Sequence, residues 1–244
     1  KQLLPLSSKI KKIALLGPNA NNGTTQLGNY NGIPSKNATL LDALRAEKGI
    51  EVVYDSISDF ITLQPGIDLQ HYAEKYKDVD LIIYAGGISA LLEGEEGDTG
   101  NVEGFYRGDR TTINLPAVQT QVMQMLQKSG KPMIFICMSG SAIAFNWESQ
   151  HIPAIIQAWY GGQAAGTALA DILFGRYNPS GKLPITFYRS DSDLPAIEDY
   201  SMKNRTYRYF NGDVLYPFGY GLSFTKFKFK KLNVPQEVQI GDTI

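Results

Sequence analysis

Apolar positions in the first 175 residues fall in short dense runs, separated by longer stretches with helical spacing. Ile13 to Leu16, Val52 to Tyr54, Leu81 to Ala85, Met133 to Cys137 and Ile155 to Ala158 are dense rather than alternating. That is the pattern of strands covered by helices on both faces of a sheet. Between them, Leu40 to Lys48 reads as a helix with Leu40, Leu41 and Leu44 inward, stopped by Gly49. Leu69 to Tyr76 is a weaker helix. Pro116 opens a third, in which Val118, Val122, Met125 and Leu126 share a face, and Gly130 ends it. Ala164 to Phe174 is a small-residue helix. The alternation predicts an α/β class, a three-layer α/β/α sandwich with a mostly parallel sheet.

After Gly175 the texture changes. "NPSGKLPITFY", Asn178 to Tyr188, is turn chemistry leading into a strand, and Arg189 to Met202 is polar and irregular. From Phe224 the chain alternates Phe227 and Phe229 with Lys226, Lys228 and Lys230. A period of two predicts a half-exposed strand, a C-terminal β extension belonging to a further domain. Residues 1–223 are then the sandwich, and 224–244 a linker with that first strand. The opening "KQLLPLSSKIKK" has no apolar signal-peptide region and leads directly into a strand, as the middle of a longer chain would.

Composition narrows the function mainly by exclusion. The 244 residues suffice for a full core, and a net charge of -1 gives no electrostatic reason to expect nucleic acid or an anionic membrane as partner. No apolar stretch reaches the roughly 18 residues that a membrane-spanning helix needs. The single cysteine, Cys137, lies in an apolar run and reads as a buried, inert thiol.

Charge is nevertheless concentrated in one place. The apolar run Leu81 to Ala85 ends in Gly86-Gly87, and a loop follows with Glu93, Glu95, Glu96, Asp98, Glu103 and Asp109 against Arg107 and Arg110. Ligands of open parallel sheets bind at the carboxyl ends of the strands, where this loop starts. A solvated acidic loop is the bland account. The chemical account is a carboxyl whose proton affinity is raised by like charges and by Leu91 and Leu92, as general acid catalysis requires near neutral pH. No metal is expected on these carboxylates, since neither His71 nor His151 is close in sequence, and no cofactor motif accompanies them. "LLGPNANNGT" spaces Gly17 and Gly23 one residue too widely for a phosphate loop and has no lysine after them. "CMSGSA" is not a nucleophile elbow, so Ser139 and Ser141 read as hydrogen-bonding loop residues. Spacing alone yields one carboxylate site and no partner nucleophile.

Longer stretches say more. "IALLGPNA", "LGNYNGIPS", the acidic loop, "AWYGGQAAGTALADILFGRYNPSGKLPITFY", "RTYRYF" and "LYPFGYGLSFT" together resemble the second domain of family 3 glycoside hydrolases, in the family's order from Ile13 to Phe227. "LGNYNGIPS" and "GGISALLEGE" lean toward the β-xylosidase branch over the β-glucosidase branch. The resemblance implies a retaining, exo-acting β-glycosidase in which a preceding (β/α)8 barrel supplies an aspartate nucleophile from an S-D-W type motif. This domain would supply the acid/base glutamate from a loop over the barrel's mouth, and a fibronectin-like domain would follow. Its implied partners are that barrel, on the same parent chain, and a β-linked xylo- or gluco-oligosaccharide, with a periplasmic or secreted location.

The branch's I-E-A-E-x-x-D-R pattern falls on "LEGEEGDTGNVEGFYRGDR" with an insert before Asp109-Arg110. It puts the first glutamate at Glu93, the leading acid/base candidate, and the second at Glu95, the next choice, with Glu96 third. "SDSD" at Ser190 to Asp193 lacks the tryptophan and the barrel strand of a nucleophile motif. The alternative is a stand-alone carbohydrate-binding or regulatory module using Tyr30, Trp147, Trp159 or Tyr160 to stack on sugars. Packing in the core or at a domain interface is the favoured account of those rings.

Overall fold

Strands whose residues are apolar on both sides must be covered on both sides, and this sheet is. The computed structural model describes residues 3–94 and 101–241, without the side chains of residues 70 and 71. The first three strands are β1 (Lys12–Leu16), β2 (Glu51–Asp55) and β3 (Leu81–Gly87). A small hairpin, β4 (Phe105–Tyr106) and β5 (Asp109–Arg110), precedes β6 (Met133–Met138) and β7 (Ala154–Gln157). The five-stranded sheet has the order β2-β1-β3-β6-β7 with every pairing parallel.

Successive side chains go to opposite faces. Ile13, Leu15, Leu81, Ile83, Ile134 and Ile136 pack with Leu40, Leu41 and Leu44 of α2 (Leu40–Arg45) and with Leu169 and Leu173 of α6 (Ala165–Leu173). Ala14, Leu16, Ile82, Tyr84, Phe135 and Cys137 pack on the other face with Tyr76 and with Val122, Met125 and Leu126 of α4 (Ala117–Gln127). Each such leucine or isoleucine, fully buried, contributes about 1.5–3 kcal/mol relative to exposure. This is the α/β sandwich expected from the sequence.

The helices begin where local chemistry allows. Thr39 caps α2 through a reciprocal box with Asp42, and Pro116 precedes the first residue of α4. The segment Leu69–Tyr76 is one turn of α-helix, α3 (Leu69–Tyr72), continued by a 3-10 turn over Ala73–Tyr76. Three short helices have no counterpart in the sequence reading: α1 (Gly23–Leu27), α5 (Asn146–His151) and α7 (Thr206–Tyr209).

The C-terminal β extension is not formed. Residues 226–235 adopt no strand and are exposed, with Phe229 fully so. An edge needs a neighbour to satisfy its backbone groups, and none of the described residues lies beside this segment as a strand. Likewise the strand expected at the end of "NPSGKLPITFY" is reduced to one antiparallel bridge, Phe187 with Tyr216.

The strand order reverses between β1 and β3, since β2 lies outside β1 and the chain then crosses to the far side. Such a reversal leaves a crevice at the carboxyl ends of the two strands. The register brings Leu16 beside Tyr84, Gly87 beside Met138 and Cys137 beside Gln157. The exit loops of β1, β3, β6 and β7 therefore start at similar heights on one edge of the sheet.

Candidate active site

The root of the acidic loop is clamped before any acid appears. Gly87 has a φ of +107°, and a Cβ there would lie 2.0 Å from the carbonyl oxygen of Met138, so only glycine fits. Fully buried Gln119 of α4 reaches across to this point. Its Oε1 accepts the Gly87 N–H at 2.8 Å and its Nε2 donates to the Gly87 carbonyl at 2.7 Å. From the β1 exit, buried Asn19 donates to the carbonyls of Gly86 at 3.0 Å and Ile88 at 3.2 Å. The two loops that border the crevice are thus tied to each other.

Glu93 comes next, half-buried, its N–H bonded to the Ser89 carbonyl at 3.0 Å. Its side chain turns back onto the sheet edge. Oε2 accepts the Gly140 N–H at 2.9 Å and the Tyr160 hydroxyl at 2.7 Å, while Oε1 accepts the Ser141 hydroxyl. Ser141 Oγ in turn accepts from Arg110 Nη1 at 2.8 Å. Asn29, from the loop after β1, donates to the Glu93 carbonyl at 3.2 Å. Gly140 leaves room for this arrangement: a Cβ there would sit 3.0 Å from the Tyr160 ring and 3.1 Å from Glu93 Oε2.

The electrostatics are those of a half-buried polar cluster. Burial, and then the charge of Glu93 and its hydrogen bond, push the Tyr160 phenol far above its ordinary value, so it keeps its proton and donates it. Burial pulls the Arg110 guanidinium down while Glu93 opposes that shift. Arg110 also donates to the carbonyls of Ala142 at 2.8 Å, Thr112 at 3.1 Å and Asn114 at 3.5 Å, and its neighbour Asp109 is exposed. Below the cluster, burial raises the Cys137 thiol to about 12, which keeps it inert as expected.

Of the acid/base candidates, the structure shows Glu93; Glu95 and Glu96 lie outside the described residues. The leucines flanking Glu93 do not desolvate it as a pair. Leu91 is 67% exposed, and Leu92 packs against the core instead. Gly140, Ser141 and Tyr160 were not foreseen as its partners, and nothing in their local sequence marks them as such.

Beside the cluster a cleft of about 620 Å³ opens between Arg110, Thr112 and Ser141 on one side and Tyr188, Leu194 and Tyr207 on the other. The "SDSD" stretch has a structural part in this cleft, which Asp191 helps line. Asp191 accepts from Thr112 Oγ1 and from the Ile113 N–H, each at 2.7 Å. Of the other rings considered for sugar stacking, Tyr30 is exposed and the two tryptophans are spent on packing. Trp147 stacks on His151 with centroids 4.7 Å apart, and Trp159 meets Phe187 edge-on at 6.1 Å. Among the described residues no three His, Cys, Asp or Glu converge as metal ligands would.

Comparison with known proteins agrees with this architecture. The family model described as Glycosyl hydrolase family 3 C-terminal domain matches residues 1–224. A xylan 1,4-β-xylosidase from Xylanibacter ruminicola is 46% identical over 215 residues, covering 85% of this chain and 25% of that protein. A periplasmic β-glucosidase from Salmonella typhimurium is 31% identical, over 93% of this chain and 32% of its own length. Among solved structures, a GH3 exo-β-xylosidase in complex with a xylobiose aziridine activity-based probe superposes with a TM-score of 0.77 at 29% identity, covering 92% of this chain and 29% of that one. The chain thus spans about a quarter to a third of the length of the proteins it matches. With a family match over nearly its whole length, the chain belongs to glycosyl hydrolase family 3, as its C-terminal domain.

Proposed function

We propose that this chain is the acid/base-bearing domain of a retaining, exo-acting β-glycosidase of the β-xylosidase type, with β-glucosides as its second substrate class. The observation that carries this reading is the acidic loop leaving β3 at the reversal of strand order, in a family 3 C-terminal domain. A retaining mechanism needs two carboxyls roughly 5–5.5 Å apart. One attacks the anomeric carbon; the other protonates the departing oxygen and later takes a proton from the incoming water. The loop offers Glu93 and Glu95 for the second role. The first belongs to an aspartate on an N-terminal (β/α)8 barrel of the same parent chain.

The xylosidase preference draws support from the Xylanibacter ruminicola relative and from the exo-β-xylosidase that binds a xylobiose-derived probe. A periplasmic or secreted location fits the name of the Salmonella relative. The test compares the full-length parent with the isolated chain on nitrophenyl β-xyloside and β-glucoside. The parent is expected to cleave the xyloside faster, and the chain alone to cleave neither, because one carboxyl without its partner leaves most of the barrier standing. A parent inert on both substrates overturns the glycosidase reading. Sustained turnover by the chain alone overturns the division of catalysis between two domains.

A further inference from the structure

We infer that Glu93 is a positioning residue: its carboxylate fastens the root of the acidic loop to the exits of β6 and β7 and is not itself the proton donor. This rests on the proposal that the loop carries the acid/base.

The argument begins with lone pairs. A carboxylate offers about four acceptor positions. At Glu93 three are filled by the Gly140 N–H, the Tyr160 hydroxyl and the Ser141 hydroxyl, with both oxygens engaged. An N–H can only donate, so Oε2 is held as an acceptor. Tyr160 keeps its proton. Arg110 has donors only, and occupies an acceptor position of Ser141 Oγ, which leaves the serine proton for Glu93. A general acid instead needs an O–H free to turn toward the substrate oxygen. Here that turn breaks protein hydrogen bonds on either oxygen.

The same contacts suit an anchor. Glu93 gathers the loops after four strands: its own after β3, Asn29 after β1, Gly140 and Ser141 after β6, and Tyr160 after β7. Arg110 adds the β4–β5 hairpin through Ser141. Holding the root of the loop at a fixed height above the sheet is worth a large factor in rate, since misplacement by about 1 Å can cost roughly 100-fold.

The experiment uses the full-length parent enzyme with Glu93→Gln and Tyr160→Phe, on xylobiose and on dinitrophenyl β-xyloside, with and without azide. As an anchor, Glu93→Gln lowers kcat/KM on both substrates by similar factors, and azide restores nothing. Tyr160→Phe lowers both as well, though less. The inference is overturned if Glu93→Gln spares the dinitrophenyl substrate and azide revives it with formation of a β-xylosyl azide. It is also overturned if Tyr160→Phe leaves both rates intact. Should the parent cleave neither substrate, the glycosidase reading fails by itself. The anchor is then decided by melting temperatures of this chain: the double variant is expected to lose less than the sum of the two single losses, and strictly additive losses refute it.

Discussion

Replacing Gln119 by leucine tests whether the loop's root is held as the structure implies. The amide is fully buried and bonds both polar groups of Gly87, and its Nε2 also donates to the Phe60 carbonyl at 3.0 Å. Leucine preserves bulk and removes all three bonds. A buried group deprived of its partner costs about 1–3 kcal/mol. The N–H and carbonyl of Gly87 are both buried, which gives about 2–6 kcal/mol for the pair. Phe60 is half-buried, so water relieves part of its loss. For a chain of this size, 4 kcal/mol corresponds to a fall in melting temperature of roughly 8–16 °C. Urea titration of the chain followed by circular dichroism, with m unchanged, measures the loss. Exposed Gln124 on the same helix is the control, and its leucine variant is expected to stay within about 0.5 kcal/mol. If Gln119→Leu costs less than about 1 kcal/mol, or no more than the control, the clamp does not exist as described.

Three other substitutions probe independent features. Gly87→Ala puts a methyl 2.0 Å from the Met138 carbonyl oxygen at a φ of +107°, so the variant is expected to lose its cooperative thermal transition; a normal melt refutes that. Glu148 of α5 is buried with the Thr120 hydroxyl donating to it, and burial raises its carboxyl despite that bond. A raised folded value means stability present below about pH 4.5 and lost as pH climbs through it, so the melting temperature of Glu148→Gln relative to the parent sequence rises between about pH 4 and pH 7. Burial pushes Asp55 up as well, but Lys75 and the hydroxyls of Tyr72 and Tyr76 outweigh it and hold the carboxyl low. Its contribution is therefore present above the ordinary aspartate range and lost on acidification. The deficit of Asp55→Asn relative to the parent sequence is expected to shrink below about pH 4, and a deficit constant with pH refutes the assignment.

The fold was legible because each central strand is a solid apolar run. A run such as Met133 to Met138 buries every residue, and in a protein that requires a sheet covered on both faces. Helices α2, α4 and α6 carried their own signals: the inward leucines stopped by Gly49, the opening Pro116 and the small residues of Ala164 to Phe174. Helix α5 was missed for a physical reason. Its one buried residue is Glu148, so it shows no apolar periodicity to read. The C-terminal end differs: alternation in Phe227 and Phe229 announced a strand of a further domain, and residues 226–235 form none here. Alternation states which face a strand would bury, but a strand forms only against a neighbour, and neither side chain is buried here.

The site was legible as a place and not as an arrangement. An acid-rich loop after a solid apolar run located Glu93, because only the sheet's carboxyl edge receives such loops. Its surroundings were inferred from adjacent residues, and there the inference failed: Leu91 faces out and Leu92 faces the core. The groups that do surround Glu93 come from positions 47 to 67 residues further along, at Gly140, Ser141 and Tyr160. Sequence proximity governs a helix or a turn, but at a parallel sheet's edge proximity is set by strand register. The pairing of Gly87 with Met138 and of Cys137 with Gln157 brings the chain after each strand to one level. Polar residues one to three positions past the ends of different strands therefore become neighbours. Ser139 and Ser141 already read as hydrogen-bonding loop residues, and Tyr160 as a ring packed in the core or at a domain interface, with sugar stacking the alternative. What the sequence lacked was the strand order, β1-β3-β6-β7, that makes these residues one cluster around a single carboxylate.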